Sequence, residues 1–121
     1  MPPSLPRRAT LAAALAVLMP AAAHAHAVLL DSTPQLGGRV KSGSIGFRLR
    51  FNSRIDVERS RLTLVWPDKT ANPLPIDADG AGDIFTAVAT LRPGAYVLRW
   101  QVLALDGHIT RGDVPFTVTA A

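Results

Sequence analysis

The 121-residue chain has no cysteine, and its two methionines, Met1 and Met19, both lie within the first twenty positions. Everything after Met19 is therefore free of sulfur. That excludes disulfides, although the chain is short, and it removes thiolate zinc sites and most cuprous sites. Aromatic residues are scarce at 6%, and histidine occurs only at His24, His26 and His108. No Lys/Arg block is dense enough for a nucleic-acid footprint, so no nucleic-acid partner is expected. The longest uninterrupted apolar run, Leu11 to Met19, is about half of the ~20 residues needed to span a bilayer, which argues against a transmembrane anchor.

That short run belongs to a leader. Arg7 and Arg8 precede it, Pro20 breaks it, and mostly small residues continue to Ala25, the three-part pattern of a secretory signal peptide. The expected division is a cleaved signal over residues 1–25 and one domain over residues 26–121. Ala23-His24-Ala25 is a small-x-small site whose cleavage makes His26 the first residue. Ala21-Ala22-Ala23 is also acceptable and would begin the chain at His24. The paired arginines raise twin-arginine export, but Arg-Arg-Ala-Thr-Leu lacks the usual aromatic, which favours the general secretory route. Of the 13 Lys and Arg residues, Arg7 and Arg8 fall in the leader, leaving 11 against 9 acidic residues and a nearly balanced surface.

Beyond the leader, short apolar runs are separated by Pro, Gly, Asp and Asn. A first strand is expected over Ala27–Leu30, ended by Asp31-Ser32-Thr33-Pro34, with Gln35-Leu36-Gly37-Gly38 as a turn. Phe47, Leu49 and Phe51 alternate with Arg48 and Arg50, and Leu62, Leu64 and Trp66 repeat the pattern. This is the period of a strand with one buried face. Leu74–Ile76 reads as a proline-flanked edge strand, 84–91 as a further strand and 114–118 as the last. Tyr96, Leu98, Trp100 and Val102 alternate in the most apolar strand, which places Trp100 in the core. The count is about seven strands, with no helical period of any length. The fold class is all-β, one Greek-key β-barrel or sandwich. Asp77, Asp79 and Asp83 could be calcium ligands, but they read better as solvated turn residues because the loop lacks the length and the later carboxylate of a calcium motif.

The candidate chemistry lies at the end of the apolar strand, in Asp106-Gly107-His108. Residues two apart on an extended chain project to one side, so the carboxylate and the imidazole can address one point. Gly107 between them permits close approach or a bulge. Alone, Asp-Gly is an ordinary turn dipeptide. An N-terminal His26 changes its weight, because its α-amine and ring Nδ1 would chelate one ion. With His108 they form the three-nitrogen arrangement called a histidine brace, and Asp106 adds an oxygen. Nitrogen and carboxylate donors without sulfur suit Cu(II). The α-amine must lose its proton to bind, so acid should release the metal.

These residues resemble the CopC-like periplasmic copper-binding proteins over nearly the whole chain after the leader. His26-Ala27-Val28-Leu29 with Ser32-Thr33-Pro34 is similar to the family's opening, a histidine eight residues before a proline, which favours cleavage after Ala25. Phe51-Asn52-Ser53, Arg61-Leu62-Thr63-Leu64, Pro93-Gly94-Ala95-Tyr96, Trp100, Asp106-Gly107-His108, Gly112 and Phe116 resemble the rest of its pattern. The resemblance implies a seven-stranded cupredoxin-like domain that binds Cu(II) through His26, Asp106 and His108. It also implies a periplasmic role in copper homeostasis, with hand-off to a separate inner-membrane transporter of the CopD type; a monomer is expected. Two departures stand out. The methionine-rich Cu(I) loop of some members has no counterpart. The glutamate that many carry after the Phe51 position is replaced by Ser53-Arg54, leaving Asp56 or Glu58 as the nearby carboxylates.

Copper sequestration or delivery, not catalysis, is therefore the leading expectation. A small histidine-brace redox enzyme acting on polysaccharide is the second reading, with Trp66, Trp100 and Tyr96 as its sugar-stacking candidates. A metal-free immunoglobulin-like interaction module is the third.

Overall fold

The computed structural model describes residues 27–78 and 82–121; the leader, His24, His26 and Asp79 lie outside them. Nine strands follow in chain order: β1 (Leu29–Thr33), β2 (Gly38–Lys41), β3 (Gly43–Phe51), β4 (Ile55–Val65), β5 (Ala71–Leu74), β6 (Asp77–Ala78), β7 (Ile84–Leu91), β8 (Gly94–Ala104) and β9 (Ile109–Thr119). They form two sheets, β1-β3-β7-β6 and β2-β9-β8-β4-β5. Pairing is antiparallel except between β2 and β9, which run parallel. Among the described residues the ladder is divided between two sheets, so the architecture is a sandwich with open edges.

The period-two pattern decides which faces meet. Ile45, Phe47, Leu49 and Phe51 of β3 are buried, while Ser44, Gly46 and Arg48 between them face outward. On β8, Tyr96, Leu98, Trp100, Val102 and Ala104 are buried. Burying one such large apolar side chain stabilises the fold by about 1.5–3 kcal/mol. A one-residue slip would turn the whole set to water, so the register is strongly specified. Aromatic edges pack within one sheet at Phe51–Phe85 and between the two layers at Phe51–Trp100 and Phe47–Phe116. Phe51 meets Phe85 and Trp100 edge to face, with centroids 5.5 and 5.3 Å apart, and Phe47 meets Phe116 at 5.6 Å. Tyr96 and Trp100 are thus core residues, and only the partly buried Trp66 is left of the three sugar-stacking candidates.

The sequence reading erred at the polar and short segments. β1 does not end at Asp31 but runs through Thr33, because its backbone stays paired with β3 from Asp31↔Arg50 to Thr33↔Arg48, with an exposed Asp31–Arg50 ion pair (Nη2–Oδ2 2.6 Å) across the ladder. The turn at Gln35–Gly38 is present, closed by Gly38 N–H donating to the Gln35 carbonyl at 2.8 Å, but it leads directly into β2. β2 has only four residues and pairs with the distant β9, so no local pattern marks it. β4 begins at Ile55, earlier than expected, because a bulge between Asp56 and Arg61 hides the alternation. Buried Ser60 satisfies that bulge, donating to the Asp56 carbonyl at 2.6 Å and accepting from Leu103 N–H at 3.1 Å. The edge strand β5 covers Ala71–Leu74 and not Leu74–Ile76.

Candidate metal centre

β8 and β9 are paired from Gly94↔Val118 to Leu103↔Ile109, and the turn joining them carries Asp106 and His108. Two backbone bonds close it. Ala104 N–H donates to the His108 carbonyl at 2.9 Å, and Gly107 N–H donates to the Ala104 carbonyl at 2.9 Å. Gly107 has φ +92°, a conformation that side chains with a Cβ rarely adopt, which explains glycine at the tip.

Asp106 and His108 do meet, but not as neighbours on one side of an extended strand. His108 N–H donates to Asp106 Oδ1 at 3.0 Å, the Asx-turn by which an aspartate mimics a backbone turn two residues on. The same oxygen lies 3.3 Å from His108 Nδ1. Both side chains are about half exposed, 44% for Asp106 and 52% for His108. The turn therefore presents a carboxylate and an imidazole together at the surface, flanked by exposed Leu105 and Ile109.

Among the described residues, no group of three or more His, Cys, Asp or Glu side chains converges. Asp106 and His108 are the two expected donors within the described residues. The third, His26, lies outside them. Its sequence neighbour is tightly placed. Ala27 is buried, and its carbonyl accepts from Thr110 Oγ1 at 2.9 Å, two residues beyond His108 on β9. Val28 N–H donates to Asn52 Oδ1 at 2.8 Å, and its carbonyl accepts from Asn52 N–H at 3.0 Å. Sequence reasoning did not single out Thr110 or Asn52 as site residues. A threonine on a strand carries no signal, and Asn52 registered only as part of Phe51-Asn52-Ser53.

The nearby carboxylates point elsewhere. Asp56 Oδ1 accepts from Arg59 N–H at 3.3 Å, and its other oxygen lies 3.6 Å from the Arg59 guanidinium. Glu58 lines an open groove beside β5 with Leu74 and Ile76. Below the turn, Trp100 is paired with Gly112 across β8 and β9, and the indole occupies the space that a side chain at 112 would need. Trp100, Gly112 and Thr110 line a shallow surface hollow together with Ala27.

The fold is a small all-β sandwich whose β8–β9 turn presents an imidazole beside a carboxylate at one end. The chain is more specifically a member of the CopC family: residues 29–119 match the CopC domain. Copper resistance protein C of Pseudomonas syringae pv. tomato is 30% identical over 114 residues, covering 87% of this chain and 90% of that protein. The crystal structure of CopC from Methylosinus trichosporium OB3b superposes with a TM-score of 0.73 at 24% identity, over 78% of this chain and 95% of that one. PcoC of Escherichia coli, described as a methionine-rich copper resistance protein, superposes with a TM-score of 0.62 at 26% identity, over 78% and 99%. The family is one of copper resistance proteins, not of enzymes.

Proposed function

We propose that this protein is a periplasmic Cu(II) carrier in copper homeostasis. In this reading residues 1–25 are removed on export. The α-amine and ring of His26 then bind copper together with His108 and Asp106. Copper is cargo, either sequestered or passed to a separate inner-membrane transporter of the CopD type, and the carrier is a monomer. The observation that carries the reading is the Asp106–His108 pair, 3.3 Å apart on a turn whose following strand also grips Ala27 through Thr110.

The donor set fits the cargo. Imidazole and carboxylate donors, with no sulfur in residues 27–121, suit Cu(II) and offer nothing soft for Cu(I). Membership of the CopC family and likeness to a named copper resistance protein support the same assignment. The chain's own residues do three things here. Asp106 shapes the turn through His108 N–H, it adds negative charge beside the imidazole, and the turn leaves both groups open to water for exchange.

Intact mass of the exported protein is the first measurement, and a chain beginning at His26 is expected. Titration of that protein with Cu(II), followed by electron spin resonance, should show one tetragonal site with nitrogen donors. His108→Ala should abolish that spectrum and weaken binding strongly. A chain beginning at His24, or an unchanged spectrum in His108→Ala, overturns the assignment.

A further inference from the structure

The strongest unexplained feature is how firmly the chain is held before β1 begins. The β1–β3 register starts at Leu29↔Phe51, yet residues 27 and 28 already make three hydrogen bonds. Two of them come from Asn52, which offers both its side-chain oxygen and its own N–H to Val28. The third comes from Thr110, which belongs to the other sheet, so its bond to the Ala27 carbonyl ties the two layers together. Ala27 is 1% exposed, and a residue this close to the start of a domain would ordinarily fray.

We propose that Thr110 and Asn52 are positioning residues for copper. The inference rests on the histidine-brace reading above. Residue 26 is joined to Ala27 by one peptide bond, a span of about 3.8 Å between Cα atoms. Restraint of Ala27 therefore limits the volume that the amine of a chain beginning at residue 26 can reach. Thr110 sits two residues from His108 on β9, so one strand carries both a ligand and the anchor for the segment bearing the other. Chelation by a free chain end must remove that end's conformational freedom, and pinning it beforehand lowers the loss on binding. Groups that orient metal ligands without touching the metal typically change affinity about 10–100-fold when removed.

The test uses protein beginning at His26, with the start verified by mass. Thr110→Val keeps the side-chain shape and deletes the hydroxyl, Thr110→Ser keeps the hydroxyl, and Asn52→Ala deletes the side-chain acceptor of Val28 N–H while keeping the Asn52 N–H bond to the Val28 carbonyl. Three quantities are measured: Cu(II) affinity by competition with a chelator, the electron spin resonance spectrum, and amide hydrogen exchange at Val28 in the metal-free protein. Thr110→Val should weaken Cu(II) binding about tenfold, broaden or split the spectrum, and speed Val28 exchange. Thr110→Ser should return all three towards the parent, and Asn52→Ala should move them in the direction of Thr110→Val. If Asn52→Ala does not fold, the Thr110 pair decides. Parent affinity and spectrum in Thr110→Val, in a protein whose His108→Ala variant loses copper, would overturn the anchor and leave the brace standing. Retention of copper by His108→Ala overturns the brace itself, and the anchor with it.

Discussion

Gly112→Ala should be among the most damaging single-methyl additions in this domain. A Cβ built at Gly112 lies 2.6 Å from Cε2 and 2.8 Å from Nε1 of Trp100, and it is nearer still to Cζ2. Ordinary carbon contacts begin at about 3.5 Å, so the indole must move by roughly 1 Å. It has little room, because its other side meets Phe51 edge to face at 5.3 Å and the ring is only 7% exposed. Backbone relief is equally restricted, since Gly112 is held in the β8–β9 ladder opposite Trp100 itself. Overpacking of this kind costs about 1–3 kcal/mol, and the rigid surroundings place it at about 2–3. For a domain of this size that lowers the melting temperature by ~10–20 °C. Thermal unfolding followed by circular dichroism measures it directly. The double variant Gly112→Ala with Trp100→Phe supplies the internal check. The smaller ring vacates the contested space, so the two changes should couple by at least about 1 kcal/mol. A Gly112→Ala protein melting within a degree of the parent, or strictly additive changes, would refute the argument. Because Trp100 and Gly112 line one surface hollow with Ala27, the same substitution should weaken Cu(II) binding in whatever fraction remains folded.

Asp106 has two separable roles, and two substitutions divide them. Asp106→Asn keeps an oxygen for His108 N–H and should leave stability nearly unchanged, whereas Asp106→Ala should cost about 1 kcal/mol from the lost turn bond. Both remove the anionic oxygen and should weaken Cu(II) binding in a competition titration; parent affinity in Asp106→Asn would show that the carboxylate is not a ligand. At the far end, hydrogen bonds from the Thr70 hydroxyl (2.6 Å) and then the Thr70 N–H (3.0 Å) hold the Asp68 carboxyl below its ordinary value of 3.8. A depressed carboxylate pKa contributes stability that is present above the unfolded value and is lost as pH falls through the folded one. Thr70→Val removes the larger of these bonds. Carboxyl NMR titration should then show Asp68 moving back up towards 3.8, and an unmoved titration would contradict the assigned cause.

Much of this protein was legible in the order of its residues. Alternation at Phe47–Phe51 and Tyr96–Val102 specified strands, their buried faces and a core position for Trp100, because a two-residue period leaves one choice of inward face. The absence of sulfur excluded whole classes of metal site without any coordinates. Asp106-Gly107-His108 stood out as a candidate only beside an N-terminal His26 and the family resemblance, since Asp-Gly alone is an ordinary turn dipeptide. What local sequence did not contain was every feature made by residues far apart. β2 is a strand only because β9 lies beside it, and the polar half of β1 only because β3 pairs with it through Thr33↔Arg48. The bulge in β4 exists where Ser60 can satisfy it from within. At the candidate site, sequence supplied the donor types, but tertiary structure decided that Asp106 and His108 meet through a turn and that Thr110 and Asn52 grip residues 27 and 28. The division has one physical origin. Periodicity and side-chain chemistry act along the chain, whereas hydrogen bonds and contacts between distant strands exist only once the two sheets have closed on each other.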